Sequence, residues 1–141
     1  MPQQMSNYFV QLLEDQWFGK IATPTIPTNW YVVMFLTDPG LADSGGVEPS
    51  TGGYVRLLIP NTSAYFATAA SRQKNAAGAN YPLAWFTASG SIGPIVATGL
   101  RDAASAGNLI LLNSIASGSQ QSIVSGNNIT FNAADFSFRI D

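Results

Sequence analysis

The stretch Asn29-Trp30-Tyr31-Val32-Val33-Met34-Phe35-Leu36-Thr37-Asp38-Pro39 is an almost unbroken run of aromatic, branched and other apolar side chains, stopped by Asp-Pro. It falls well short of the roughly twenty apolar residues a membrane helix needs, and its β-branched and aromatic content reads as a strand buried on both faces. An echo follows at Gly52-Gly53-Tyr54-Val55-Arg56-Leu57-Leu58-Ile59, across a polar loop that holds Gly40, Ser44, Gly45, Gly46, Ser50 and Thr51. Such a loop carries the chain between strands but builds no core. The two runs therefore anchor an all-β domain.

Upstream, Ser6 to Phe18 is the one helical stretch. Ser6 or Asn7 can cap it, Phe9, Leu12, Leu13, Gln16 and Trp17 recur at three- and four-residue spacing, and Gly19 can close it. Its apolar stripe must cover the β core or dock on another chain. Thr23-Pro24-Thr25-Ile26-Pro27-Thr28 is a stiff extended connector, because proline restricts both itself and its predecessor. Residues 1–28 thus form a helix and connector, and 29–141 the β domain.

Downstream, Ser63–Ala69 reads as a weak strand after the Pro60-Asn61-Thr62 turn, Ser71–Asn80 as an exposed loop, and Tyr81–Phe86 as a short edge strand because Pro82 cannot donate to a ladder. Ser91–Leu100, bent at Gly93-Pro94, and Leu109–Leu112 form a hairpin across a small-residue turn. Ser122-Ile123-Val124 and Ile129-Thr130-Phe131 form another across Ser125–Asn128. Strict alternation over Phe136–Ile140 places Phe136, Phe138 and Ile140 on one face of a terminal strand. About eight short strands divided by Gly, Pro, Ser and Asn turns indicate a β-sandwich or jelly roll with one short N-terminal helix.

Only 10% of the 141 residues are charged and the formal net charge is −2, against about 25% charged residues in ordinary soluble domains. Charge keeps free monomers apart, so this neutral surface suits a unit of an assembly. Cysteine and histidine are both absent, which excludes disulfides, thiolate metal sites and the commonest general base and zinc ligand. No metal or other cofactor is expected. Met1–Ser6 lacks the pattern of a secretory leader, no run is long enough for a membrane span, and a protein made and kept, or assembled, in the cytosol is the expectation. The six basic residues are scattered, whereas nucleic-acid binding calls for a concentrated basic face.

Catalytic residues are not expected. Asp43 and Glu48 are the carboxylates best placed for glycosidase chemistry, but a Gly-rich loop is a poor support for it and solvated turn carboxylates are the simpler reading. Asp38, before Pro39, is a turn former. No Gly-x-Ser-x-Gly elbow and no phosphate-binding Gly-x-x-x-x-Gly-Lys run occurs. Most aromatic residues sit in apolar runs and belong to the core; Tyr65 and Tyr81, beside the irregular segment, are the candidate surface contacts.

Several of these motifs resemble a known group. Ser6-Asn7-Tyr8 leading to Leu12-Leu13-Glu14, the Pro-Thr connector, Trp30 to Pro39, Gly52-Gly53-Tyr54-Val55-Arg56, Asp102-Ala103-Ala104, Gly107-Asn108-Leu109 and Gly126-Asn127-Asn128-Ile129-Thr130-Phe131 are similar to small virion proteins of tailed bacteriophages. Asn75–Phe86 and Ile95-Val96-Ala97 depart from that pattern. Some members bear the name tail fibre protein, and some are similar to head decoration, or cement, proteins. The resemblance implies a non-enzymatic, trimeric β-sandwich on the capsid exterior that binds major capsid protein and stabilises the shell. Phe9, Leu12, Leu13, Trp17, Tyr65 and Tyr81 are then the candidate partner or oligomer contacts. The alternative is a tail fibre or baseplate component that meets a host receptor; a polysaccharide-degrading enzyme is a third class, which would depend on Asp43 or Glu48.

Overall fold

A computed structural model describes residues 3–19, 25–68, 73–75, 80–132 and 137–139. In chain order these form β1 (Gln4–Met5), α1 (Asn7–Trp17), β2 (Asn29–Phe35), β3 (Leu57–Pro60), β4 (Gln73–Asn75), β5 (Leu83–Thr87), β6 (Ile92–Ile95), β7 (Ala97–Arg101), β8 (Leu109–Ser114), β9 (Gln121–Ile123), β10 (Asn128–Phe131) and β11 (Ser137–Arg139). The described residues are all-β apart from one short helix. No helix among the described residues is long and apolar enough to cross a membrane.

Five strands in the order β1-β8-β7-β2-β3 make one antiparallel sheet, with β2 an interior strand between β7 and β3. Side chains alternate across a strand, so β2 sends Val32 and Met34 to one face and Val33 and Phe35 to the other. All four are buried, as the unbroken apolar run requires. On the first face the registers align Met5, Leu111, Leu100, Val32 and Leu57 in one row across all five strands. Leu83 and Trp85 of β5 and Phe131 of β10 cover that row. Met34 meets Ile92 and Ile95 of β6, with Ile123, Phe86 and Ile129 around them. The two ribbons β5-β10 and β6-β9 thus form a second layer over this face, a sandwich-like arrangement. On the opposite face Val33 and Phe35 pack with Ala97, Leu109, Leu112 and Leu41. Gly99 keeps that side close: a Cβ there would lie 2.9 Å from both Leu109 Cδ1 and Leu111 O.

Ser6 ties the helix to the sheet. It is fully buried, its hydroxyl donates to the Leu109 carbonyl, and the same oxygen accepts the Phe9 N–H at 3.2 Å. The capping role read from the sequence is therefore observed, and Phe18 and Gly19 end the helix, Gly19 at φ 79°. The short β1, for which the sequence offers no signal, anchors the N-terminal segment on the edge of β8.

Several sequence expectations are corrected. The echo run is strand only from Leu57; Gly52 and Gly53 form a turn at φ 69° and 76°, and a Cβ on Gly52 would come within 2.7 Å of Ile92 Cδ1. Ser63–Tyr65 is a turn in which the N–H groups of Tyr65 and Phe66 donate to Thr62 O. The Ser71–Asn80 stretch contains β4, paired with β11, so long-range pairing overrides its polar composition. Ser91–Leu100 is two strands, β6 and β7, in different sheets. Residues 122–124 and 129–131 do not pair with one another: β9 joins β6 and β10 joins β5. The first part of the connector, residues 20–24, and Phe136 and Ile140 lie outside the described residues, as do the side chains of β4 and β11.

Phe35 is fully buried, whereas Val55 is 57% exposed. Phe35→Ala is expected to cost about 3–5 kcal/mol in urea denaturation and Val55→Ala no more than about 0.5 kcal/mol; equal costs would remove β2 from the centre of the core.

Candidate functional site

Three places gather the residues that the sequence singles out: the loop after β2, the end of α1, and the aromatic pair beside β5.

The loop after β2 is held by charge. Asp38 Oδ1 accepts the Gly40 N–H at 2.8 Å, the local turn expected of it, and Asp43 sits at φ 52°. From β7, the Arg101 guanidinium reaches the Asp43 carboxylate through two hydrogen bonds of 2.6 and 2.8 Å and also donates to Gly107 O at 2.8 Å. Its Nε lies 3.6 Å from Glu48 Oε1, an ionic contact without a hydrogen bond, and its carbon centre stands 5.6 Å from the Phe35 ring centroid. Glu48 in turn accepts from Arg56 Nε and Nη2 at 3.0 and 2.6 Å and from the Tyr54 hydroxyl at 3.1 Å. Arg56 Nη1 caps the carbonyls of Ala103 and Ala106 at 2.7 and 2.8 Å. With side-chain exposures of 26% for Asp43 and 21% for Glu48, neither is a solvated turn carboxylate, which corrects that expectation. Each is clamped by a bidentate guanidinium, an arrangement that fixes geometry. Among the described residues no group of His, Cys, Asp and Glu could hold a metal ion.

Tyr54 links this cluster to the core strand. Its hydroxyl accepts the Met34 N–H at 3.1 Å while its ring meets Phe86 edge-on at 5.9 Å. Burial, with the Glu48 charge beside it, holds the phenol above its ordinary range despite the opposing Met34 hydrogen bond. Sequence reasoning missed this cluster because Tyr54, Arg56 and Arg101 are scattered along the chain. The one local signal was Gly-Gly-Tyr-Val-Arg, an interrupted strand with both a hydroxyl and a cation.

The helix divides its stripe. Phe9 is half-buried and packs on the first core cluster, and Leu12 and Leu13 are half-buried. Trp17 is 82% exposed and its neighbour Phe18 is 83% exposed. Cis packing therefore accounts for the start of the helix and leaves two adjacent aromatic rings in solvent at its end. Phe18 was not among the expected contacts.

Tyr65 and Tyr81 do come together. Their rings meet near-perpendicularly at 6.2 Å and the Tyr81 hydroxyl donates to Tyr65 O at 3.2 Å. Both pack against the first core cluster, and Tyr81 also lies 6.2 Å from Phe131. Burial raises the Tyr81 pKa, with a smaller contribution from Tyr65. The pair closes one end of the core and keeps only its outer surface for contacts.

A family model described as podophage GP4 fiber I protein gp80 matches residues 4–139. No curated protein matches the chain.

Two measurements check the charge cluster. Arg101→Leu leaves Asp43 and Glu48 partly buried and less compensated, and is expected to destabilise by roughly 2–4 kcal/mol in chemical denaturation, with partial recovery in Arg101→Leu/Asp43→Leu. Tyr54→Phe removes the acceptor of a buried N–H at about 1–3 kcal/mol. The unfolded chain ionises tyrosine near pH 10, while folded Tyr54 resists it. Its contribution is fully present below about pH 10 and is lost as the pH rises further, so the thermal midpoint falls above that pH, and less steeply in Tyr54→Phe.

Proposed function

The chain belongs to the podophage GP4 fiber I protein gp80 family, and from that premise we propose that it is a non-enzymatic structural component of a phage fibre. Membership makes it a phage virion protein, and the family name fits the fibre reading better than capsid decoration. The match over residues 4–139 carries the proposal, because it spans the helix, the five-stranded sheet and the second layer together.

The arrangement of side chains supports this reading. Asp43 and Glu48, the residues on which polysaccharide cleavage would depend, are engaged in holding a loop. With Asp43, Glu48, Arg56 and Arg101 paired internally and only 10% of residues charged, the chain offers partners mainly neutral polar and apolar groups, as suits permanent assembly. Its partners are then other virion proteins and further copies of itself, as the trimer that the resemblance to small phage virion proteins implies. Contact with major capsid protein would belong to the decoration reading. Trp17 and Phe18, at the free end of α1, are the side chains best placed for a neighbouring subunit, since each large ring removed from water contributes substantially to docking.

Antibody raised against the folded chain and carried on gold particles should label the fibres or tail of intact virions; labelling spread evenly over the head would establish decoration instead. A Trp17→Ser/Phe18→Ser variant is expected to keep the wild-type thermal midpoint, because both side chains are solvent-exposed, and to be left out of particles when supplied in place of the wild type. Normal incorporation of the variant would move the docking surface away from the helix end.

A further inference from the structure

The last turn of α1 carries two exposed carboxylates, Glu14 and Asp15, and no basic residue. The carbonyl end of a helix is the negative end of its dipole and favours cations, so local helix stability does not account for acids there. Among the described residues every ion pair runs to Asp43 or Glu48, and neither Glu14 nor Asp15 is in one. The same turn leads into the exposed rings of Trp17 and Phe18. Glu14 stands three and four positions before them, and the Phe18 N–H still donates to Glu14 O at 2.9 Å, so the helical path holds as far as Phe18. That spacing brings side chains onto one face of a helix. A carboxylate and two uncovered aromatic rings therefore share one patch, with Asp15 at its border.

Each of these features selects the same partner. Carboxylates accept charge-assisted hydrogen bonds from a guanidinium, and the faces of aromatic rings attract cations. Arginine meets both demands at once, because its plane stacks on a ring while its edge donates to a carboxylate, whereas a lysine ammonium is a strongly hydrated point charge. A second copy of this chain is a poor source of that cation. Its formal net charge is −2, and Arg56 and Arg101, the basic side chains of the described residues, are engaged by Glu48 and Asp43. The rings alone would suit any apolar recess, and it is the acids that discriminate between partners. We infer that the end of α1 docks on an arginine-bearing recess of a different virion protein, the guanidinium lying between the Glu14 carboxylate and the rings of Trp17 and Phe18. The inference rests on the docking role proposed above for the helix end and names the chemistry of what covers it.

The test places p-benzoylphenylalanine at Phe18 of the full chain, supplies that chain in place of the wild type during infection, irradiates the purified particles and identifies the cross-linked peptides by mass spectrometry. The expected product joins Phe18 to a peptide of a different virion protein that carries arginine at or beside the cross-link. Adding Glu14→Lys/Asp15→Lys should lower its yield about tenfold or more, since like charges then face one another, and Glu14→Gln/Asp15→Gln should lower it about two- to fivefold. The thermal midpoint should stay unchanged or rise in both variants, because cations or neutral groups suit that helix end better than acids. A cross-link to a second copy of this chain, to a peptide without arginine, or with a yield that charge reversal leaves unaltered overturns the arginine recess and keeps the helix end as a docking surface. Absence of any cross-link to another chain removes the docking surface and the inference with it, while gold labelling of the fibres stands independent of every one of these outcomes.

Discussion

Everything in this molecule depends on satisfying one strand, β2, on four sides. Its two faces are closed by separate sets of apolar side chains, and one edge is closed by β7. The other edge is harder. β3 pairs with it only as far as Val32, yet the N–H groups of Met34 and Leu36 continue beyond that point into the interior, where unpaired donors are costly. The Tyr54 hydroxyl takes the first at 3.1 Å and the Val47 carbonyl takes the second at 2.7 Å. A side chain and a loop thus finish a ladder that the partner strand leaves incomplete.

This accounts for the pairing of Asp43, Glu48, Arg56 and Arg101. The loop that delivers Val47, and the segment that delivers Tyr54, must be fixed in place although neither is regular structure. Arg101 and Arg56 fix them through Asp43 and Glu48. Two of the six basic residues in the whole chain are used in this way. The charged cluster is in effect a scaffold for the edge of β2, and the same residues that looked like the best catalytic pair are the ones that hold it.

What was legible in the sequence was whatever is decided locally. The double-sided burial of β2 followed from its unbroken apolar run, the start of α1 from Ser6, and the β7–β8 hairpin from Leu109–Leu112 and the turn before it. Pairing between distant segments was not legible. β9 and β10 are separated by a turn that would suit a hairpin, but each finds a better partner in the second layer, and β4 has too little apolar content to reveal that β11 pairs with it. At the candidate sites, the expected Tyr65 and Tyr81 do meet, whereas the Arg101–Asp43 pair joins residues 58 positions apart and has no sequence pattern. Trp17 was legible as an apolar residue on a helix; that it stays in solvent was not.

Four of the charged side chains pair with one another around the loop after β2, and the helix ends in two solvated aromatic rings, the surface that we propose a neighbouring subunit covers. Membership in a fibre protein family gives that physical picture its place in a virion. The most direct test of the account is the number of copies of this chain per copy of the major capsid protein in purified virions, measured by quantitative mass spectrometry. The account predicts a small multiple of a symmetric oligomer, on the order of ten copies per particle, whereas copies on the order of hundreds, or none, would contradict it.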